Sequence, residues 1–240
     1  MLAESASDIQ LGRFSETIQL PASARYGVLE FIEQELPRWR DDSERPKAEA
    51  EDRLTEYLCE YLNSAAYKSA DWNHVQFRTE TGDEQSSART IDLAVKPLAC
   101  ALLIENRRHN IFETILPIEC KRLPTPKGGG RDEREYVFTA AGTTGGIQRF
   151  KAGLHGASHG LAGMIGYIQD ESVDFWARRI SEWIEGLVKD GQPGWSRDDL
   201  LRLERQNASL RTASLSSTHE RSGDLSQIAL RHVWVGMTKN

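Results

Sequence analysis

Residues 117–122 read PIECKR and close a run of apolar and β-branched residues, IFETILPIECKR, that begins at Ile111. This run is the strongest strand signal in the chain. Side chains of a strand alternate between faces, so Glu119 and Lys121 share one face and Cys120 takes the other. An acid and a base placed together beside a hydrophobic strand need a reason, because a charged group in apolar surroundings is costly unless it is paired.

Working outward, TIDLAV (90–95) sets Asp92 among Ile91, Leu93 and Val95, inside a second segment made of strand formers. If the two strands pair as a meander, Asp92, Glu119 and Lys121 converge at one end of a sheet. Two carboxylates meeting there repel each other unless a divalent cation lies between them, and hard oxygen ligands suit Mg²⁺ or Mn²⁺. The competing reading makes Glu119 and Lys121 a surface cross-strand pair and Asp92 a turn cap. On the metal-site reading, neutralising either carboxylate relieves repulsion and leaves the metal-free fold no less stable.

The flanking elements follow from periodicity. KAEAEDRLTEYLCEYLN (47–63) has Leu54, Tyr57, Leu58, Tyr61 and Leu62 on one helical stripe. HVQFRTE and ARTIDLAVK are strands, ENRRHN is a turn, and the Gly-rich PTPKGGGRDE is a loop. TTGGIQRFKAGLH is a helix after its glycines, GLAGMIGYIQD a buried strand, and SVDFWARRISEWIEGLVKD a long helix. LLRLERQNASLRTASLSSTHE reads as a hairpin and IALRHVWVGM as the last strand. This order suits a central mixed sheet covered on both faces. Residues 1–46 are expected as an appendage, with ETIQL a short strand, a helix ending at Pro37, and RWRDDSERP a linker to the main domain, 47–240.

Composition narrows the class. The 240 residues are 39% hydrophobic and 28% charged, ordinary for a globular chain with one main core. Three cysteines without CxxC spacing favour neither a disulfide framework nor a zinc cluster, and fit a reducing, cytoplasmic setting. PLACALLI is too short to span a bilayer. Net charge is -6, yet residues 105–151 hold nine Lys/Arg against six acids, so the acidic surplus lies away from the candidate site.

Asp92, Glu119 and Lys121, with a glutamate-bearing helix before them and a helix and strand after, resemble the PD-(D/E)XK, or restriction-endonuclease-like, nucleases. The resemblance covers roughly residues 47–170. It implies an α/β/α sandwich and Mg²⁺ held by Asp92, Glu119 and the backbone carbonyl of Cys120, with Mn²⁺ as substitute. Lys121 would serve the attacking water or the phosphate. Ile91 stands where the family has proline, which leaves the ligands untouched.

Many members add a glutamate from the first helix. Glu51 lies three before Leu54 and seven before Leu58, on the buried stripe, whereas Glu49 falls on the solvated side. Gln148 matches a glutamine that some members carry on the following helix, although Ala152 breaks the fuller motif. Arg149 and Lys151 read mainly as a solvated helix face.

Other features carry less. His155 and His159 have i, i+4 spacing, but the Gly and Ser between them argue against a helical zinc pair. The GGG at 128–130 lacks the lysine and Ser/Thr of a phosphate-binding loop. Trp176 and Trp183 read as core, and His232 as a structural histidine near the sheet end. The resemblance therefore implies a Mg²⁺-dependent nuclease acting on DNA ahead of RNA, an effector of a bacterial defence or repair system brought to substrate by a protein partner or by homo-oligomerisation. Two alternatives are a catalytically silent subunit that binds nucleic acid or aids assembly, and an interaction protein docking through its N-terminal segment and Trp-rich helix.

Overall fold

The computed structural model describes residues 17–84 and 86–238. The elements run β1 (Thr17–Leu20), α1 (Ala24–Asp41), α2 (Glu51–Lys68), β2 (Val75–Asp83), β3 (Ser86–Pro97), β4 (Ala101–Ile104), β5 (Arg107–His109), β6 (Leu116–Leu123), α3 (Gly146–Lys151), β7 (Leu161–Ile168), α4 (Val173–Lys189), β8 (Arg202–Asn207), β9 (Thr212–His219) and β10 (Ile228–Gly236). Seven strands form one mixed sheet in the order β2-β3-β6-β7-β10-β9-β8, and β1-β4-β5 form a second, small sheet. Pairing is antiparallel in β2-β3 and β3-β6, parallel in β6-β7 and β7-β10, and antiparallel in β10-β9 and β9-β8.

Alternation along β7 divides the core in two. Leu161, Ile165 and Tyr167 point to a layer with α1 and α2, whereas Ala162, Met164 and Ile168 point to a layer with α3 and α4. Every residue of β7 is buried, as expected of a strand between two parallel neighbours and covered on both sides. α2 buries Leu54, Leu58, Leu62 and Ala66 at helical spacing, and α4 buries Trp176, Ile180, Trp183, Ile184 and Leu187. The result is a mixed α/β protein with its sheet flanked by helices.

Three expectations change. The described part of the 1–46 segment does not stand apart. β1 pairs in parallel with β4, and α1 places Val28, Leu29, Ile32, Leu36 and Trp39 in the same core as α2. Burying such a side chain stabilises by about 1.5–3 kcal/mol, which ties α1 firmly to the sheet. α1 also continues through Pro37 to Asp41, because Trp39 and Arg40 beyond it are buried. Arg40 reaches from there to the carbonyls of Leu210 (2.7 Å) and Gly236 (3.2 Å), so the charged stretch is a packed helix end before it is a linker.

The ENRRHN segment is narrower as a turn than expected. Glu105 and Asn106 take positive φ of 51° and 65° and form a two-residue hairpin, so Arg107–His109 is free to be a strand. The Trp-rich helix, by contrast, keeps the core place that its pattern suggested. Trp176 and Trp183 lie in the core with α3 and β10.

Candidate functional site

The site arises where β3 and β6 part. Their ladder is made by Leu93–Ile118, Ala94–Pro117 and Val95–Leu116 only, while β6 runs on to Leu123 beside β7. Beyond Ile118 the β3-side edge of β6 has lost its partner strand, and buried backbone donors must find other acceptors. Two carboxylates supply them. Asp92 Oδ2 accepts from the Cys120 amide at 2.8 Å, and Glu51 Oε2, from the first turn of α2, accepts from the Arg122 amide at 2.9 Å. The splay of β3 from β6 thus brings two acids, one from β3 and one from α2, to the open edge of β6.

Lys121 lies at their focus. Its Nζ stands 3.2 Å from Glu51 Oε1, 3.2 Å from Asp92 Oδ2, 3.1 Å from Glu119 Oε1 and 2.9 Å from the Cys120 carbonyl. Glu119 and Lys121 share a face, as alternation requires, and neither is a surface residue. Glu119 is 0% exposed and Lys121 4%, which removes the reading of a surface cross-strand pair. Asp92 sits within a strand and caps no turn. Glu51 keeps the place that its helical phase gave it, and the Glu49 side chain is solvated.

Two neighbours were not among the expected site residues. Arg149 on α3 donates to Glu119 Oε1, and His155 Nδ1 lies 2.9 Å from Glu119 Oε2, so both oxygens of this sealed carboxylate are engaged. Gln148, the expected site residue of that helix, turns away. Its Oε1 accepts from the amides of Thr139 (3.1 Å) and Gly145 (3.2 Å), closing the loop ahead of α3. A six-residue helix carries too little periodicity to fix its phase from sequence, and adjacent residues differ by about 100° around the axis. His155 follows a left-handed Gly153 (φ 65°) that ends the helix, so no spacing rule placed it.

Close approach of α3 depends on a missing side chain. A Cβ on Gly146 would stand 2.6 Å from Met164 Cε and 2.9 Å from the Tyr136 carbonyl, with Lys121 Cγ 3.6 Å away. Glycine there lets Arg149 reach Glu119.

The electrostatics of the three acids differ. Burial opposes ionisation of Glu119, but Lys121, His155 and Arg149 outweigh it and hold the carboxyl well below the usual range. Burial, and then Glu119, push Asp92 up to about 6 against the pull of Lys121 and the Cys120 amide. For Lys121 burial favours the neutral amine, yet Glu119, Asp92 and Glu51 prevail and keep it charged, well above the ordinary lysine range. The expectation that neutralising either carboxylate spares stability is therefore given up for Glu119, which anchors Lys121, Arg149 and His155, and kept for Asp92.

Solvent reaches the site through a pocket of ≈ 310 Å³ lined by Glu51, Asp52, Arg53, Thr55, Glu56, Thr79, Glu80 and Asp92. Its walls are acidic, against the expectation that the acidic surplus lies away from the site, because α2 and β2 bring acids from outside residues 105–151; Arg53, its one cation, is paired with Glu56. The side chains of Asp92 (26% exposed) and Glu51 (20%) face it, while Lys121 and Glu119 lie behind. Among the described residues no three His, Cys, Asp or Glu side chains form a ready metal cage. The oxygens are spaced around an ammonium, about 1 Å wider than Mg²⁺–oxygen bonds of about 2.0–2.1 Å. Their chemistry nonetheless fits such an ion: hard oxygens from Asp92, Glu119, Glu51 and a backbone carbonyl.

A second constellation lies in the α3/α4 layer. Ser217 Oγ is 2.7 Å from His219 Nε2, and His219 Nδ1 is 2.6 Å from Asp199 Oδ1. The connectivity is that of a nucleophile, base and acid. All three are buried, Ser217 is shared with His232 Nε2 at 2.8 Å, and Asp199 also holds Lys151. His232 continues the chain to Tyr136 and Trp234. No substrate atom can reach Ser217 in this setting, and the network satisfies polar groups of the core. His232 is the structural histidine the sequence suggested.

His159 faces Glu84 at 3.4 Å, away from His155's partner, so the two histidines share no ligand position. No helix among the described residues is long and apolar enough to cross a membrane. Compared with known proteins, the chain matches no family model, no curated protein and no solved structure.

Proposed function

We propose that this protein is a metal-dependent nuclease of restriction-endonuclease-like type that hydrolyses phosphodiester bonds, with DNA the favoured substrate. The single observation carrying this reading is the convergence of Asp92, Glu119, Glu51 and the Cys120 carbonyl on Lys121 where β3 and β6 splay. Asp92, Glu119 and the Cys120 carbonyl would hold Mg²⁺ or Mn²⁺, with Glu51 beside them. When bound, the ion supplies Lewis-acid polarisation of the phosphate and a lowered pKa for water.

The chain's own groups divide the remaining work. Lys121 offsets negative charge that develops on a phosphate oxygen, and a preorganised charge in a dry site is worth far more than one in water. Arg149 is partly exposed beside Glu119 and is a second cation within reach of a phosphate. His155 fixes the orientation of Glu119 and is a positioning residue. Gln148 has no part in this scheme.

The acidic pocket and the net charge of -6 make unaided capture of nucleic acid weak. Non-specific binding rests on phosphate contacts and reaches only about 10⁻⁴–10⁻⁶ M at physiological salt. A partner subunit or self-assembly supplies the missing local concentration, in keeping with a cytoplasmic effector of a defence or repair system. The test is incubation of plasmid, linear DNA and RNA with the protein in Mg²⁺ or Mn²⁺, with Asp92→Ala as control. Metal-dependent cleavage lost in the control is the expected result, and cleavage surviving Asp92→Ala sinks the reading.

A second reading, a catalytically silent subunit of the same fold, draws on the ion pairs that already occupy the candidate ligands. Calorimetry separates the two: the silent subunit takes up neither Mg²⁺ nor Mn²⁺.

A further inference from the structure

Lys121 is an imperfect fit to its surroundings. An ammonium has three N–H donors, but four oxygens lie within 2.9–3.2 Å of this nitrogen: Glu51 Oε1, Asp92 Oδ2, Glu119 Oε1 and the Cys120 carbonyl. At least one acceptor is always left without a proton. The charges are likewise unequal, since three carboxylates surround one ammonium and Arg149, on Glu119, is the one guanidinium in support. A small divalent cation lacks both defects, because it accepts six oxygens and carries twice the charge.

We propose that the ammonium of Lys121 is an internal stand-in for the divalent cation, held at the point where the ligand oxygens converge, and that it must withdraw before the cation can enter. The inference rests on the reading of the site as metal-dependent and adds its regulation: metal loading and release of the lysine are one event. In the metal-free protein the nitrogen is satisfied inward and has no proton to offer a phosphate. Entry of the cation frees it, so the charge that serves substrate becomes available only in the loaded state.

The surroundings divide into fixed and movable parts. Glu119 is sealed and tied at both oxygens by Arg149 and His155, so it stays. Asp92 and Glu51 face the pocket and are each held to the β6 backbone through one amide only, so they can close on a smaller ion. The lysine's four-carbon stem lets the head group swing without moving β6.

The test follows the ¹⁵Nζ resonance of Lys121 by NMR in wild-type protein, first with chelator and then with rising Mg²⁺. The resonance is identified by its loss in Lys121→Met, or in Lys121→Arg if the Met variant does not fold. A protected ammonium signal is expected without metal, and its broadening into solvent exchange as metal binds. Calorimetry runs alongside, with Mn²⁺ binding the Met variant at least about tenfold more tightly, since no internal charge competes with the ion. A Lys121 signal that persists unchanged while calorimetry records metal uptake, and uptake that Asp92→Asn abolishes, overturns the proposal and leaves the metal site standing. Absence of Mg²⁺ and Mn²⁺ uptake by wild type and variants removes the site reading itself, and the inference with it.

Discussion

Asp92→Asn in metal-free protein is expected to stabilise the fold, with a characteristic dependence on pH. Burial and Glu119 raise this carboxyl from 3.8 to about 6. Below about pH 4 it is protonated in both folded and unfolded chains and adds nothing to the balance. Between about pH 4 and 6 the unfolded chain releases a proton that the fold retains, so the folded state binds more protons and stability falls as pH rises. Above about pH 6 the loss is complete. A shift of about two units corresponds to about 3 kcal/mol. A quarter of the side chain reaches solvent, and the substitution also removes one of the three carboxylates around Lys121, so a net gain of about 1–2 kcal/mol at pH 7 is expected. For a chain of this size that is roughly 2–8 °C in Tm. The assay is a set of thermal melts of both proteins in chelator from pH 5 to 8. The gap should be about half its final size at pH 5 and full by pH 7. A variant less stable than wild type at pH 7, or a gap that does not grow with pH, refutes the electrostatic account of Asp92.

Glu119→Gln should act in the opposite sense and cost about 3–5 kcal/mol in urea unfolding at pH 7, because Lys121 and Arg149 lose their shared counter-charge and His155 its carboxylate partner; a loss under 1 kcal/mol would contradict the ion-pair assignment. For activity, Asp92→Asn, Glu119→Gln and Lys121→Ala should each lower metal-dependent cleavage by at least about a hundredfold. Glu51→Gln should lower it less and Glu49→Gln hardly at all, since Glu49 meets Arg122 through its backbone carbonyl; an essential Glu49 side chain would show the helix phase to be misassigned. Gly146→Ala should cost about 1–3 kcal/mol through overpacking against the Tyr136 carbonyl and Met164, and wild-type stability in denaturant would mean that α3 is not pinned there.

What the sequence determined by itself is whatever depends on local periodicity. Alternation put Glu119 and Lys121 on one face and Cys120 on the other, and the Leu54-Leu58-Leu62 stripe aimed Glu51 toward the sheet, because the geometry of a strand or a helix is set by its own backbone. A strand made of Ile91, Leu93 and Val95 around one acid was likewise legible as a place where that acid needs a partner. Tertiary structure alone decided the rest. Trp39 and Arg40 read as part of a charged linker, since the carbonyls that satisfy Arg40 lie on Leu210 and Gly236, far along the chain. Gln148 and Arg149 exchanged roles because α3 is too short to reveal its buried face, and His155 reaches Glu119 only by way of a loop. The splay of β3 from β6 left no mark in either strand's composition. It turns Asp92 and Glu51 into caps for orphaned backbone donors and gathers four oxygens around one lysine, and it exists only because three elements distant in sequence pack at one sheet end.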